Sequence, residues 1–168
     1  MKIRGAKLRT LLVTLNAKYI HSSLALKYLK YYIKENTGFK ADILEFSINN
    51  NILDMLRDIY SYKPDVIGFA CYIWNIEMTK QLLTLVKSVM PEVKIVCGGP
   101  EVSYDPESIL RADSNIDYII SGEGEKPFVS LLNHLNSKSI ISTEKGLAFI
   151  ENDNLLYGGI YTLIELNE

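Results

Sequence analysis

The stretch Lys94–Glu107, KIVCGGPEVSYDPE, decides how the chain reads. A short apolar run ends on two glycines, and a proline follows at once. Glycine weakens a strand interior and is used where backbone turns sharply or lets another group come close. The stretch therefore reads as a buried strand ending at a place of restricted backbone. Either the pair makes a strand-to-loop turn or it clears room for a ligand, and both readings stay open on these residues alone.

Similar units stand on both sides. Asp65–Tyr72, DVIGFACY, is nearly all apolar, as a central parallel strand covered on both faces is. Leu8–Leu15, LRTLLVTL, is an apolar run of strand length, and Asp117–Gly122, DYIISG, is another. Lys40–Phe46, KADILEF, alternates as a less covered strand does. Between them, apolar residues fall at helical spacing. Leu24, Ala25, Tyr28, Leu29 and Tyr32 share one face behind a cap at Ser22 or Ser23. Ile52, Met55, Leu56 and Ile59 follow Asn51. Met78, Leu82, Leu85, Val86 and Val89 follow a predicted cap at Asn75 and stop at Pro91. DPESILRA opens a short helix with an aspartate cap and a proline in the first turn. Pro127 is predicted to start a last helix with Phe128, Leu131, Leu132 and Leu135 inward. Five strand–helix units predict a flavodoxin-like (Rossmann-like), doubly wound five-stranded parallel α/β sheet, order 2-1-3-4-5. Gly146–Gly159, GLAFIENDNLLYGG, reads as a C-terminal β-hairpin with a polar turn. IYTLIELNE reads as linker, and the chain stops as a piece of something longer would. The expected division is 1–140 for the α/β domain and 141–168 for hairpin and linker.

The 168 residues are 48% hydrophobic and 23% charged, with net charge −2. That balance gives no electrostatic footprint for nucleic acid or an acidic membrane surface. No apolar run approaches the ~20 residues of a membrane span. The basic-then-apolar start, MKIRGAKLRTLLVTL, runs into NAKY without a small-residue cleavage site, so it reads as a first strand in a cytoplasmic protein. Cys71 and Cys97 sit in apolar runs and read as buried thiols; no metal ligand is expected.

In such sheets ligands bind beyond the C-terminal strand ends, at the switch point between strands one and three. Four loops meet there: Asn16–Ser23, Cys71–Asn75, Gly98–Pro106 and Ser121–Pro127. They hold the single Trp, one of the two His, several Tyr and four of the ten Gly. An aromatic, polar edge with room for backbone approach suits a large, flat, partly apolar ligand. NAKY and CYIW stand where a phosphoacceptor receiver needs acidic residues. No P-loop or nucleophile triad appears, and SGEGEKP lacks the third glycine of a dinucleotide fingerprint. Plainer roles are a surface or capping His21, and Glu123 and Glu125 placed to suit the positive end of the last helix.

At these loops the chain resembles the cobalamin-binding domain at the N-terminus of cobalamin-dependent radical S-adenosylmethionine enzymes. The relevant group is labelled magnesium-protoporphyrin monomethyl ester oxidative cyclase-like or methyltransferase-like. NAKYIHSSLALKYLK, IGFACYIWNIEMT, KIVCGGPEVSYDPE and DYIISGEGEKPF carry the resemblance, in that order, across most of residues 8–135. It implies base-off cobalamin, its nucleotide tail running between strands one and three and its corrin lying on the strand ends. Gly98 and Gly99 match the pair the tail passes. The further contacts implied are Asn16, Tyr19, His21, Ser22, Ala70, Cys71, Tyr72, Trp74, Pro100, Glu101, Gly122, Glu123 and Gly124. The family's Ser-x-Leu in strand three is replaced by Ala70-Cys71-Tyr72. Its cobalt-ligating Asp-x-His-x-x-Gly is absent; Lys18 holds the histidine slot, and His21 is not expected to reach cobalt. The radical core's Cys-x-x-x-Cys-x-x-Cys is not in the 168 residues. The resemblance thus implies that the 4Fe-4S cluster, S-adenosylmethionine and catalysis belong to a domain beyond the linker. The competing expectation is a degenerate docking or sensor module that no longer binds cobalamin.

Overall fold

A computed structural model of the chain describes residues 8–18, 22–137 and 144–162. Its first half runs β1 (Arg9–Asn16), α1 (Leu24–Asn36), β2 (Lys40–Ser47), α2 (Ile52–Tyr62), β3 (Val66–Ala70) and α3 (Ile76–Val89). It continues with β4 (Lys94–Gly98), α4 (Pro100–Ser103), α5 (Pro106–Ala112), β5 (Tyr118–Ile120) and α6 (Glu125–Ser137). It closes with β6 (Leu147–Glu151) and β7 (Asn154–Tyr157). The strands lie in the order β2-β1-β3-β4-β5-β6-β7. β1 to β5 are parallel, in the predicted flavodoxin-like order. The hairpin forms as well, and it extends the sheet to seven strands: β6 runs antiparallel to β5, with Ile119 opposite Ala148. Its turn residues Asn152 and Asp153 have φ of 50° and 64°, the left-handed pair a two-residue hairpin turn requires.

Period-two alternation in the strands sorts the core onto two faces. Leu11, Val13, Ile67, Phe69, Ile95 and Cys97 point to the side covered by α2 and α3, where Met55, Ile59, Leu82 and Val86 meet them. Leu12, Val66, Val96 and Ile120 point to the other side, under Leu26 and Ile33 of α1 and Phe128 and Leu131 of α6. Full burial of each such side chain stabilises by about 1.5–3 kcal/mol. Both cysteines are free and buried. The neighbouring Cys71 thiol, and then burial, push the Cys97 thiol well above its usual pKa, so it stays protonated.

The capping side chains follow the predicted chemistry with one exception. Ser23, Asn51 and Asp105 accept hydrogen bonds from the backbone N–H of Leu26, Leu53 and Ser108. Asn75 occupies the N-cap position of α3 but makes no side-chain cap bond. Two features lay outside the expectation: α4 turns directly out of Gly99, and α6 begins two residues before Pro127. At the N-terminal ends of β4 and β5, the Asp117 carboxylate gathers Lys87 Nζ at 2.7 Å, Lys94 Nζ at 3.0 Å and the Ile95 N–H at 2.8 Å. No helix among the described residues is long and apolar enough to cross a membrane.

Candidate cofactor site at the strand ends

β1 and β3 are neighbours whose following helices leave to opposite faces of the sheet, so a crevice opens between their C-terminal ends. One buried side chain spans it. The Asn75 amide donates to the carbonyls of Leu15 and Ala70, at 3.0 Å each, and its Oδ1 accepts from the Tyr72 N–H at 2.8 Å. This corrects the cap expected there. Asn75 spends its hydrogen bonds joining the ends of two strands, contacts worth more in the dry interior than at a solvated helix end.

On the α1–α6 face a cleft of about 200 Å³ runs from the strand ends down the sheet. Leu12, Ala70, Val96 and Gly98 form its floor, Leu26 and Leu29 one wall, Glu125 and Phe128 the other. Gly98 and Gly99 meet it differently. Gly99 has φ +112°, and a Cβ there would run into the Cys71 carbonyl oxygen. Protein geometry alone demands that glycine. A Cβ on Gly98 would meet only Ile120, its carbonyl oxygen at 3.6 Å and its Cβ at 3.9 Å, which is ordinary contact. Its neighbours leave that space to the cleft. Both readings of the pair therefore have a place, one at each residue.

Above the cleft, Tyr72 and Trp74 stack with ring centroids 4.6 Å apart and planes 5° from parallel. Trp74 is 49% exposed, beside Ile73 at 76% and Leu24 at 79%. With Asn16, Ser22 and Ala25 these aromatics line an open hollow of about 530 Å³ that shares Ala25 and Tyr72 with the cleft. Glu45 of β2 holds the loop end, accepting from Ser22 Oγ at 3.0 Å and the Ser23 N–H at 2.9 Å. On the far side, Tyr161 lies against the β5 loop. Its N–H donates to the Ser121 carbonyl at 3.1 Å, and its carbonyl accepts from the Glu123 N–H at 2.9 Å. Gly122, at φ +91°, has no space for a side chain because the Tyr161 carbonyl sits there.

The family model described as B12 binding domain aligns with residues 10–132, the span that carries the apolar cleft and the aromatic shelf. The chain belongs to the B12-binding domain family. This B12-binding domain is 37% identical over 70 residues to the cobalamin-dependent radical SAM methyltransferase TokK of Streptomyces tokunonensis, covering 42% of the chain and 10% of that enzyme. It is 24% identical over 115 residues to the anaerobic magnesium-protoporphyrin IX monomethyl ester cyclase of Cereibacter sphaeroides, covering 67% of the chain and 18% of the cyclase. Its fold matches the cobalamin-dependent S-adenosylmethionine radical enzyme OxsB, solved with aqua-cobalamin and S-adenosylmethionine bound. That match has a TM-score of 0.81 at 17% identity, over 94% of the chain and 23% of OxsB. The chain thus spans between a tenth and a quarter of the length of these proteins.

Within the B12-binding domain, the structure gathers Ala70, Tyr72, Gly98, Gly99, Gly122 and Gly124 on the cleft. It gathers Asn16, Ser22, Tyr72 and Trp74 on the hollow. Pro100, Glu101 and Glu123 line neither: Pro100 and Glu101 sit in α4, and Glu123 is engaged by the Tyr161 backbone. Cys71 departs from its expected place. Its side chain is fully buried on the opposite face, where Sγ lies 3.8 Å from the Phe69 carbonyl, and only its backbone borders Gly99. Tyr19 and His21 lie outside the described residues. Sequence reasoning missed Leu12 in the cleft floor and Leu26 and Glu125 in its walls. Periodicity marks inner-face positions but does not say which of them stand beside a gap.

Proposed function

We propose that this chain is the cobalamin-holding part of a cobalamin-dependent radical S-adenosylmethionine enzyme. It binds the cofactor base-off, for methyl or related group transfer completed with a downstream iron–sulfur domain. The observation that carries this reading is the open space at Gly98. A glycine that its protein neighbours do not require lies on a narrow apolar cleft at the switch point. The site fits the group. A flat benzimidazole suits the slot between α1 and α6, and the corrin, wider and fringed with amides, suits the hollow with its stacked Tyr72 and Trp74.

When bound, cobalamin supplies a cobalt centre able to accept and give up a methyl group. The chain's own residues bind and orient. Leu12, Leu26 and Phe128 exclude water from the slot. Asn75 keeps the β1 and β3 ends at a set spacing. Residues 1–140 carry these contacts, and 141–168 lead toward the partner domain. With Lys18 in the slot where the family places its histidine, that motif would not hold the cofactor here, and Tyr72 and Trp74 would bind it through their ring faces. The test is a titration of the 168-residue chain with hydroxocobalamin, following the visible spectrum and the melting temperature together. A spectral change to the base-off form and a raised melting temperature are expected. No spectral change and no thermal shift at high micromolar cofactor would leave the docking-module reading instead.

A further inference from the structure

Past the hairpin, the chain crosses the start of β6 and comes to lie along the end of β5. The Gly159 carbonyl accepts from the Gly146 N–H at 2.6 Å, and Tyr161 then brackets the next loop through its bonds to the Ser121 carbonyl and the Glu123 N–H. Tyr161 pairs with Gly122 in parallel, so its backbone runs toward the strand-end edge where the cleft opens. Both segments it passes lack side chains at the crossing. A Cβ on Gly122 would run into the Tyr161 carbonyl oxygen, and one on Gly146, at φ +86°, would crowd the Tyr161 Cβ. Glycine carries an entropic cost on folding, and the sequence bears it at both places where the tail crosses.

A plain sheet edge accounts for such bonds but not for where they fall, because the bracketed loop is part of the cleft. Gly122 and Gly124 line it. The Gly124 carbonyl accepts from the Phe128 N–H at 3.0 Å, which joins the loop to the first turn of α6, and Phe128 stands in the cleft wall. The crossing segment itself is lightly held. Ile160 is exposed, and the Tyr161 ring has Lys126 Nζ 5.9 Å from its centroid. A surface segment bound by a few backbone bonds opens at low free energy, so a ligand that favours its closed form shifts it. We infer, on the basis of the proposed cobalamin cleft, that residues 159–161 are a positioning strap for that cleft. Closed on residues 121–123, the strap holds the β5–α6 loop in the shape that receives the cofactor; open, it lets that loop relax. It acts through Gly122 and Gly124 and touches no cofactor. Strap closure and cobalamin binding then favour each other, by the same factor in both directions.

Hydroxocobalamin is titrated by visible absorbance into the wild-type chain, Tyr161→Pro and Tyr161→Ala, with melting temperatures measured in parallel. Amide hydrogen exchange at Glu123, the donor to the Tyr161 carbonyl, is followed in the wild-type chain with and without cofactor. Tyr161→Pro lacks the N–H given to Ser121 and is expected to bind about tenfold more weakly. Tyr161→Ala keeps both backbone bonds and is expected to lose less. Exchange at Glu123 is expected to slow about tenfold or more when cofactor is bound. Wild-type affinity in Tyr161→Pro overturns the inference, and so does a lowered melting temperature without loss of affinity, which makes the strap a sheet edge alone. An equal loss in Tyr161→Ala overturns it in favour of the ring. Exchange at Glu123 that ignores bound cofactor also overturns it, and decides alone if Tyr161→Pro does not fold. A wild-type chain that does not bind hydroxocobalamin overturns the cleft reading itself, which separates the two failures.

Discussion

Gly98 and Gly99 are adjacent, yet they lack side chains for different reasons, and substitution separates those reasons. At Gly99 a methyl meets the Cys71 carbonyl on a backbone with φ +112°. Gly99→Ala is expected to lower stability by roughly 1–3 kcal/mol in denaturant unfolding. At Gly98 the same methyl has room among its protein neighbours and enters only the cleft. Gly98→Ala is expected to unfold within about 0.5 kcal/mol of wild type. Its hydroxocobalamin affinity is expected to fall, because the added carbon takes space the tail needs. Equal binding by Gly98→Ala would remove the tail from this floor. The sequence shows that the pair restricts the backbone, because two glycines ending an apolar run have few other uses. It does not show the division of labour, because the carbonyl that settles Gly99 belongs to Cys71, just past the end of β3 and 28 residues earlier in the chain.

At the scale of elements, β1, β2 and α2 are tied together by one tyrosine. The Tyr62 hydroxyl lies 2.9 Å from Asp42 Oδ2 and 3.2 Å from the Thr10 carbonyl. Burial, and then the Asp42 carboxylate, push the Tyr62 phenol from 10.0 up to about 12. In return the Tyr62 hydroxyl, with Lys30 after it, holds Asp42 below its ordinary value. The signs follow by linkage. The unfolded chain releases the Tyr62 proton near pH 10 while the folded chain retains it, so stability is full below pH 10 and drains between pH 10 and 12. Asp42 contributes in the opposite window, with stability present above its unfolded pKa and lost as acid protonates it. Tyr62→Phe is therefore expected to flatten the alkaline decline of stability measured by urea unfolding from pH 8 to 12, leaving the parts due to Tyr118 and the Cys97 thiol, which are also raised. An unaltered slope would place the phenol in solvent. The elements themselves were legible, since period 2 and period 3.6 do not mimic each other over such lengths. Asn75 was not. An asparagine before a helical stripe signals a cap, and only the approach of β1 from 60 residues away gives it better partners.

Across the whole molecule, the hairpin belongs to the sheet. Leu147 and Ala148 are buried, and β6 covers the edge of β5 that would otherwise present Ile119 and Ile120. A chain ending at residue 140 is expected to melt lower and to self-associate in size-exclusion chromatography, as an uncovered apolar edge does. A monomer of wild-type melting temperature would make the hairpin dispensable. The parallel order was legible because alternating strands and helices allow few right-handed arrangements. The hairpin was legible too, but not its place on the edge of the sheet, because a hairpin sequence carries its own turn chemistry but no address for the edge it joins. The strand order also has a consequence during synthesis. β1 is the first strand made, yet it ends between two others, with Val13 opposite Leu44 on one side and Phe69 on the other. The aromatic ring that covers its Leu12 face arrives with Phe128. At ribosomal rates of about 5–20 residues per second, that face stays without its lid for on the order of ten seconds. Of the strands in this sheet, β1 is thus the one that waits longest on the ribosome with its apolar face uncovered, and a nascent chain stalled before α6 is a natural client for a chaperone.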